Sequence, residues 1–312
     1  MKFDFALSTS WNSWREPDVD KMIDEIKSFG FNQVELDFAL APQSVERIIQ
    51  LVESGIIKVT SLHNFCPIPE NLNPKYASPN MFLVSDRDPK NRQESIKHTF
   101  NTIDYATRLG AKAVVMHAGE VPIKNMTADL IRLIQQDKQD TNKFIRRKIK
   151  HLKEREKFRK EYIQYTLESL DAINDYAIKK SIKIGIENRY YIHEIPDLEE
   201  MDLILNQFKG GNLFYWHDIG HAQHMENLRV FYHDEYLSAF KNNLLGMHIH
   251  DIVKDSDHRA PGCGVFDFTR VIDYLKKDII KVIEVHHPTS PSELKNGIKF
   301  LNELLRKDLS DQ

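Results

Sequence analysis

The chain has 312 residues, 41% hydrophobic and 29% charged, with 43 Lys and Arg against 46 Asp and Glu and a formal net charge of −3. This composition suits a globular domain able to bury a full core. It excludes a generally basic surface for nucleic acid, leaving at most a local patch. Two cysteines, Cys66 and Cys263, rule out a disulfide framework or a thiolate metal knuckle. No apolar run approaches the ~20 residues of a membrane span, and the opening MKFDFALSTSW lacks the apolar core of a secretory signal. A cytoplasmic location with no membrane partner is therefore the expectation.

In chain order, short apolar runs alternate with amphipathic segments. The runs are 3–8, 33–36, 57–63, 113–117, 182–187, 212–217, 244–250 and 281–286, most of them rich in Val and Ile, as buried parallel strands are. Helical periodicity fills the gaps at 18–29, 44–52, 93–109, 162–177, 198–208, 266–275 and 292–305, with a further helix expected inside 225–240. Gly30 and Gly110 stand between a helix and the next strand, where C-cap glycines occur. Eight strand–helix pairs predict a single (β/α)8 TIM barrel over 1–306, followed by a frayed tail at 307–312. An open doubly wound sheet is the alternative, but it would gather a site at one switch point. Ligand-type residues here end at least six strands, and only a closed ring gives those ends one centre. The segment 121–161 is a helical insertion after strand four; its KFIRRKIKHLKEREKFRKEY stretch, with charges of both signs interleaved, reads as a long solvated helix with i,i+4 pairs. A lid or a subunit contact is the rival reading.

The strand ends carry the chemistry. Glu187 closes IKIGIE and Glu284 interrupts KVIEVHH, and a carboxylate in such a run is costly without a metal or a basic partner such as Arg189 or Lys183. Asp218 and His221 are three apart across a glycine in HDIGH. In MHIHD, His248 and His250 share strand parity, so His250 is either an inner residue or already in the loop. Glu187, Asp218, His248 and Glu284 form a plausible oxygen and nitrogen ligand set for Mn²⁺ or Zn²⁺, with Co²⁺, Fe²⁺ or Mg²⁺ as alternatives. His63, His117 and His258 are further candidates and raise the prospect of two or three metals. Each histidine taken alone is more simply a satisfied polar residue of the core or rim. Trp11, Trp14, Phe65, Tyr190 and Trp216 are candidates to line a sugar-sized pocket, with ordinary packing as the plainer alternative. Gly262 and Gly264 around Cys263 permit a tight loop, and Cys263 need not be a nucleophile.

On the motifs IEN, HDIGH, MHIHD, DHRAPGCGVFDF and VIEVHH, the chain resembles the xylose-isomerase-like barrel superfamily of sugar (phosphate) isomerases and epimerases, which also contains zinc-dependent apurinic endonucleases. The resemblance implies Glu187, Asp218, His248 and Glu284 as common metal ligands. It implies His221 as a substrate-binding residue in the epimerases and a zinc ligand in the endonucleases, and His63, His117 and His258 as further endonuclease-type ligands. The endonuclease pattern expects an aspartate two residues before the loop histidine; here Ser256 stands there, between Asp255 and Asp257, and Asp257 substitutes only if the loop is shifted. The expected chemistry is isomerisation or epimerisation of a small sugar or keto-sugar through an enediolate-like species, with Glu187 and Glu284 exchanging the α-proton, His221 on a hydroxyl, and Arg189 or Arg259 on a carboxylate or phosphate. Metal-dependent phosphodiester hydrolysis at abasic DNA and a non-catalytic binding barrel are the alternatives. A small-molecule partner and a homo-oligomer are expected.

Overall fold

A computed structural model describes residues 4–310 except Asn71 and Asp255, with side chains as far as Asp308. Eight parallel strands close into a barrel: β1 (Ala6–Ser8), β2 (Gln33–Leu36), β3 (Lys58–His63), β4 (Ala113–Met116), β5 (Lys183–Glu187), β6 (Leu213–Asp218), β7 (Leu244–Ile249) and, after a two-stranded ribbon β8 (Asp251–Val253) and β9 (Ser256–Arg259), β10 (Ile280–Ile283). The ring order is β1-β10-β7-β6-β5-β4-β3-β2. The fold is thus the (β/α)8 barrel with a helical insertion after β4.

Local sequence explains the helices. Asp18 caps α1 (Val19–Ser28), and Met22, Ile23 and Ile26 form its buried stripe. Pro42 opens α2 (Pro42–Glu53) from the first turn. Asp88 and Pro89 start α3 (Pro89–Leu109), which stops where Gly110 turns left-handed at φ 65°. In α6 (Leu198–Gln207), Asp197 and Glu200 form a reciprocal capping box.

The barrel interior holds Ala6, Ala113, Val115, Trp216, Leu245, Ile280 and Val282. Trp216 fills most of it because two neighbouring strands carry glycine beneath the indole: a Cβ on Gly185 would lie 2.8 Å from Trp216 Cε3, and one on Gly246 2.4 Å from Cζ3. Trp216 is therefore core rather than a pocket wall, and its ring, 5.1 Å from that of His248, forms the floor of the strand-end site.

Several boundaries differ from the sequence reading. The insertion contains α4 (Thr127–Gln135), followed by α5 (Asn142–Lys180), a 39-residue helix that runs on without a break to become the fourth barrel helix. It is not simply solvated: Leu130, Leu133 and Phe144 pack with Ile192, Met225 and Leu228 in a satellite core. Buried Arg155 bonds Asp197 at 2.9 Å, Glu200 at 2.5 Å and the Glu194 carbonyl at 2.9 Å. The helix expected inside 225–240 is two, α7 (Ile219–Asn227) and α8 (His233–Phe240), and α7 starts directly at the site because Asp218 is its N-cap. The segment 266–275 gives only a short turn followed by α9 (Ile272–Leu275). The last helix, α10 (Pro291–Ser310), continues through most of the expected tail.

Candidate metal centre

Glu187 and Asp218 end β5 and β6, His248 lies in β7, and Glu284 is the first residue past β10. Barrel register places Asp218 directly beside His248. The four side chains converge. His248 Nδ1 is 2.7 Å from Glu187 Oε1, 3.0 Å from Glu284 Oε2 and 3.7 Å from Asp218 Oδ2. On its far side, Nε2 is 2.9 Å from Glu35 Oε1, and Glu35 Oε2 accepts the Ser61 hydroxyl at 2.6 Å. Glu35 takes the Nε2–H, so Nδ1 is the nitrogen that faces three carboxylates. That face calls for positive charge, a proton on Nδ1 in the metal-free protein or a metal ion in its place, and a carboxylate behind a ligating imidazole is the usual support of a bound metal.

The same logic repeats in neighbouring histidines. His117 Nδ1 bonds Asn80 Oδ1 at 2.6 Å, leaving Nε2 2.9 Å from Glu187 Oε2. His63 Nδ1 bonds the Asn64 carbonyl at 3.1 Å, with Nε2 4.0 Å from the same oxygen. His221 Nδ1 bonds the Asn188 carbonyl at 3.0 Å, with Nε2 3.6 Å from Asp257 Oδ2. His258 lies 3.2 Å from Asp257 Oδ1 and 3.4 Å from Glu284 Oε2. Among the described residues, four groups offer ligand atoms within 4.8 Å of one another: Glu187, Asp218, His248 and Glu284; His63, His117 and Glu187; His221, Asp257 and His258; and Asp218, His250, His258 and Glu284. The donor set fits a divalent metal centre, with room for more than one ion.

The electrostatics agree with that fit. Burial acts to raise the Glu187 carboxyl, yet hydrogen bonds from His117 and His248 hold it well below the usual range. Asp218 is likewise pushed up by burial and held well down by His221 and His250. Burial lowers the His248 imidazolium, but Glu284 and Glu35 outweigh it and keep the proton on well above the ordinary histidine range. Arg189 lies between Glu187 (2.8 Å) and Glu194 (2.8 Å), and Glu194 also accepts from Asn80 Nδ2 at 2.9 Å. The ion pair between Glu187 and Arg189 is thus present, whereas the ion-pair partners of Glu284 among the described residues are histidines, His248, His258 and His286. A pocket of about 340 Å³ opens over this floor, lined by His63, His117, Glu187, His221, Asp257, His258 and Glu284, with Phe38, Arg189, Tyr190 and Tyr191 around them.

Other candidates go elsewhere. Trp11 is 1% exposed and donates to the Thr289 carbonyl at 3.1 Å while packing on Phe29, so it belongs to the core. Phe65 is buried against Phe82, away from the pocket lining. Arg259 points to Glu293 at 3.2 Å, and Arg189, in the pocket lining, gives its two terminal nitrogens to Glu187 and Glu194. Tyr190 lines the pocket, stacked on His224 at 3.8 Å. His250 lies past the end of β7, 2.9 Å from both Asp218 oxygens, while its Nδ1 accepts the His258 N–H, which places it behind Asp218. His258 adopts φ 52°, and the consecutive Asp257 and His258 offer ligand atoms to one group with His221; Asp255 lies outside the described residues. Asp251 shapes this loop by accepting the N–H groups of Gly262, Gly264 and Phe266. Glu35, Asn80 and Asp257 are the site residues that sequence reasoning missed or left open.

A family model described as xylose isomerase-like TIM barrel matches residues 23–304. No curated protein matches the sequence. Among solved structures, the chain is similar to a 3-keto-D-glucoside 4-epimerase from E. coli (14% identity, TM-score 0.65, covering 97% of this chain and 100% of that one). It is also similar to an L-ribulose 3-epimerase (12%, TM-score 0.68, 99% and 97%). A third likeness is to a D-allulose 3-epimerase from Methylomonas sp. (14%, TM-score 0.63, 98% of each chain). At these identities the likeness is one of fold.

Proposed function

We propose, for a chain that belongs to the xylose isomerase-like TIM barrel family, a divalent-metal-dependent isomerase or epimerase acting on a small sugar, keto-sugar or similar polyhydroxylated molecule. The observation that carries this reading is the pair Glu187 and Glu284. They come from non-adjacent strands, both lie within 3.0 Å of His248 Nδ1, and both open into a pocket of about 340 Å³, the size class of a small-ligand site. Glu187, Asp218, His248 and Glu284 would hold the ion, Mn²⁺ or Zn²⁺ by their donor chemistry. Once bound, the ion supplies Lewis-acid stabilisation of negative charge on adjacent substrate oxygens. One of the two glutamates removes the α-proton and the other returns it, each from its own side of the pocket. Arg189 steadies Glu187 in this role, and His221 turns Nε2 toward a substrate hydroxyl. The likeness to a 3-keto-D-glucoside 4-epimerase, an L-ribulose 3-epimerase and a D-allulose 3-epimerase supports the class.

The test is uptake of solvent deuterium at the carbon next to the carbonyl, followed by NMR over a panel of keto-sugars with metal-loaded protein. Exchange that disappears in Glu284→Gln, with the fold intact, is the expected result. Absence of exchange across the panel would remove the reading.

A second reading is favoured by one specific observation, the flanking groups His63–His117 and His221–Asp257–His258. Four carboxylates, Glu187, Asp218, Asp257 and Glu284, carry four negative charges; one divalent ion leaves this centre negative, whereas three make it positive and attractive to a phosphate. Three metals per chain by elemental analysis, with cleavage of abasic DNA, would select phosphodiester hydrolysis over isomerisation.

A further inference from the structure

Beside the metal pocket, on the β1–β2 side of the barrel mouth, lies a larger chamber of about 710 Å³ that the proposed reaction does not use. Phe38 and His286 line both spaces, so the chamber borders the reacting centre. Its wall is mainly apolar, with Met22 and Leu40 among its residues, and Trp14 at the rim is 58% exposed, its ring edge-on to His287 at 4.7 Å. An exposed indole at a pocket mouth is a platform for the flat apolar face of a ring. One polar group is built in: Asp37 is 6% exposed, and its Oδ2 accepts from Ser13 at 3.2 Å while its N–H is held by Thr9 Oγ1 at 2.9 Å. A fixed, buried carboxylate accepts hydroxyl hydrogen bonds. Among the described residues, the charged ones in the lining are Glu16, Asp37 and Lys75, and these form no cationic cluster for a phosphate.

We infer that this chamber holds the second, uncharged ring of a glycosidically linked substrate: the reacting sugar occupies the metal pocket, and the attached ring lies against Trp14 with a hydroxyl on Asp37. The inference rests on the proposed isomerase reading and narrows its substrate class from a free monosaccharide to a glycoside or disaccharide.

The test is equilibrium binding to the metal-loaded protein by calorimetry, comparing D-fructose with ketose disaccharides of differing linkage (lactulose, maltulose, isomaltulose). The expected result is that at least one disaccharide binds about tenfold or more tighter than fructose. Trp14→Ala, at an exposed position, and Ser44→Trp, which fills the chamber from a half-buried site on α2, should erase that preference while leaving fructose binding unchanged. Asp37→Asn should weaken only the disaccharide. Equal affinity for fructose and every disaccharide overturns the inference. Deuterium exchange measured in the same samples separates the two ideas: a preference without exchange leaves the chamber assigned and removes the isomerase reading, and no binding of any sugar overturns both.

Discussion

Replacing Glu35 by glutamine tests the tautomer argument on which the metal centre stands. Glu35 is fully buried, 2.9 Å from His248 Nε2 and 2.6 Å from the Ser61 hydroxyl. Glutamine keeps the shape: its carbonyl can accept from Nε2–H, and its amide can donate to Ser61, which then acts as acceptor. What is lost is one negative charge behind the imidazole, and with it part of the basicity of Nδ1. Partners of this kind carry roughly 10–100-fold in metal affinity, or about 1.4–2.8 kcal/mol. Alanine would be a poorer probe, because it would also orphan a buried N–H and leave a void. The assay is competition for Zn²⁺ or Mn²⁺ against a chromogenic chelator, with circular dichroism and a melt of the metal-free protein as controls. Unchanged affinity in a properly folded Glu35→Gln protein would refute the reasoning, since His248 would then bind without needing its carboxylate.

Further outcomes follow from the same geometry. His248 keeps its proton well above the ordinary range in the metal-free protein, because Glu284 and Glu35 outweigh burial; metal binding should therefore release about one proton, and apparent affinity should rise about tenfold per pH unit through neutrality. Calorimetry in buffers of different ionisation enthalpy checks this, and buffer-independent heats would contradict it. Buried His151, bonded to Thr127 at 3.2 Å, is lowered from 6.5 to about 4, first by burial and then by His193 and Arg155. The unfolded chain thus takes up a proton first, so stability is full above pH 6.5 and falls toward pH 4, by about 3 kcal/mol at most. His151→Gln should flatten that slope in urea titrations, and a slope identical to wild type counts against the assignment. Gly246→Ala would drive a methyl into Trp216 and the Ile280 carbonyl; a loss of about 1–3 kcal/mol in denaturant unfolding is expected, and a neutral effect would mean that the barrel floor is not tightly packed.

The sequence revealed what local rules control. Eight short apolar runs separated by helical periods describe a barrel, and glutamates in the midst of Ile and Val, as in IKIGIE and KVIEVHH, stand out because burial makes them costly. Glu35 gave no such signal. In QVEL, polar and apolar residues alternate, so it resembles a solvent-facing position, and only closure of the ring brings β2 across to His248. Asn80 was equally silent, in the long connection between β3 and α3. Aromatic residues were the weakest ground: size and hydrophobicity are the same for a core filler such as Trp11 and a rim platform such as Trp14, and only burial separates them. Asp257 needed a backbone fact, the left-handed turn at His258, that its identity does not encode.

The bonds run from His117 through Asn80, Glu194 and Arg189 to Glu187, and the two ends meet where His117 Nε2 lies 2.9 Å from Glu187 Oε2, so that a proton or a metal ion held there closes the line into a circuit. A circuit of this kind has no end at which to begin unravelling. Removing any one member opens it, and because neighbouring members share partners their substitutions should not add. The loop bearing Asn80 and the carboxylate at the tip of β5 consequently share their order, and the wall of the pocket is as firm as its floor only while the circuit is whole.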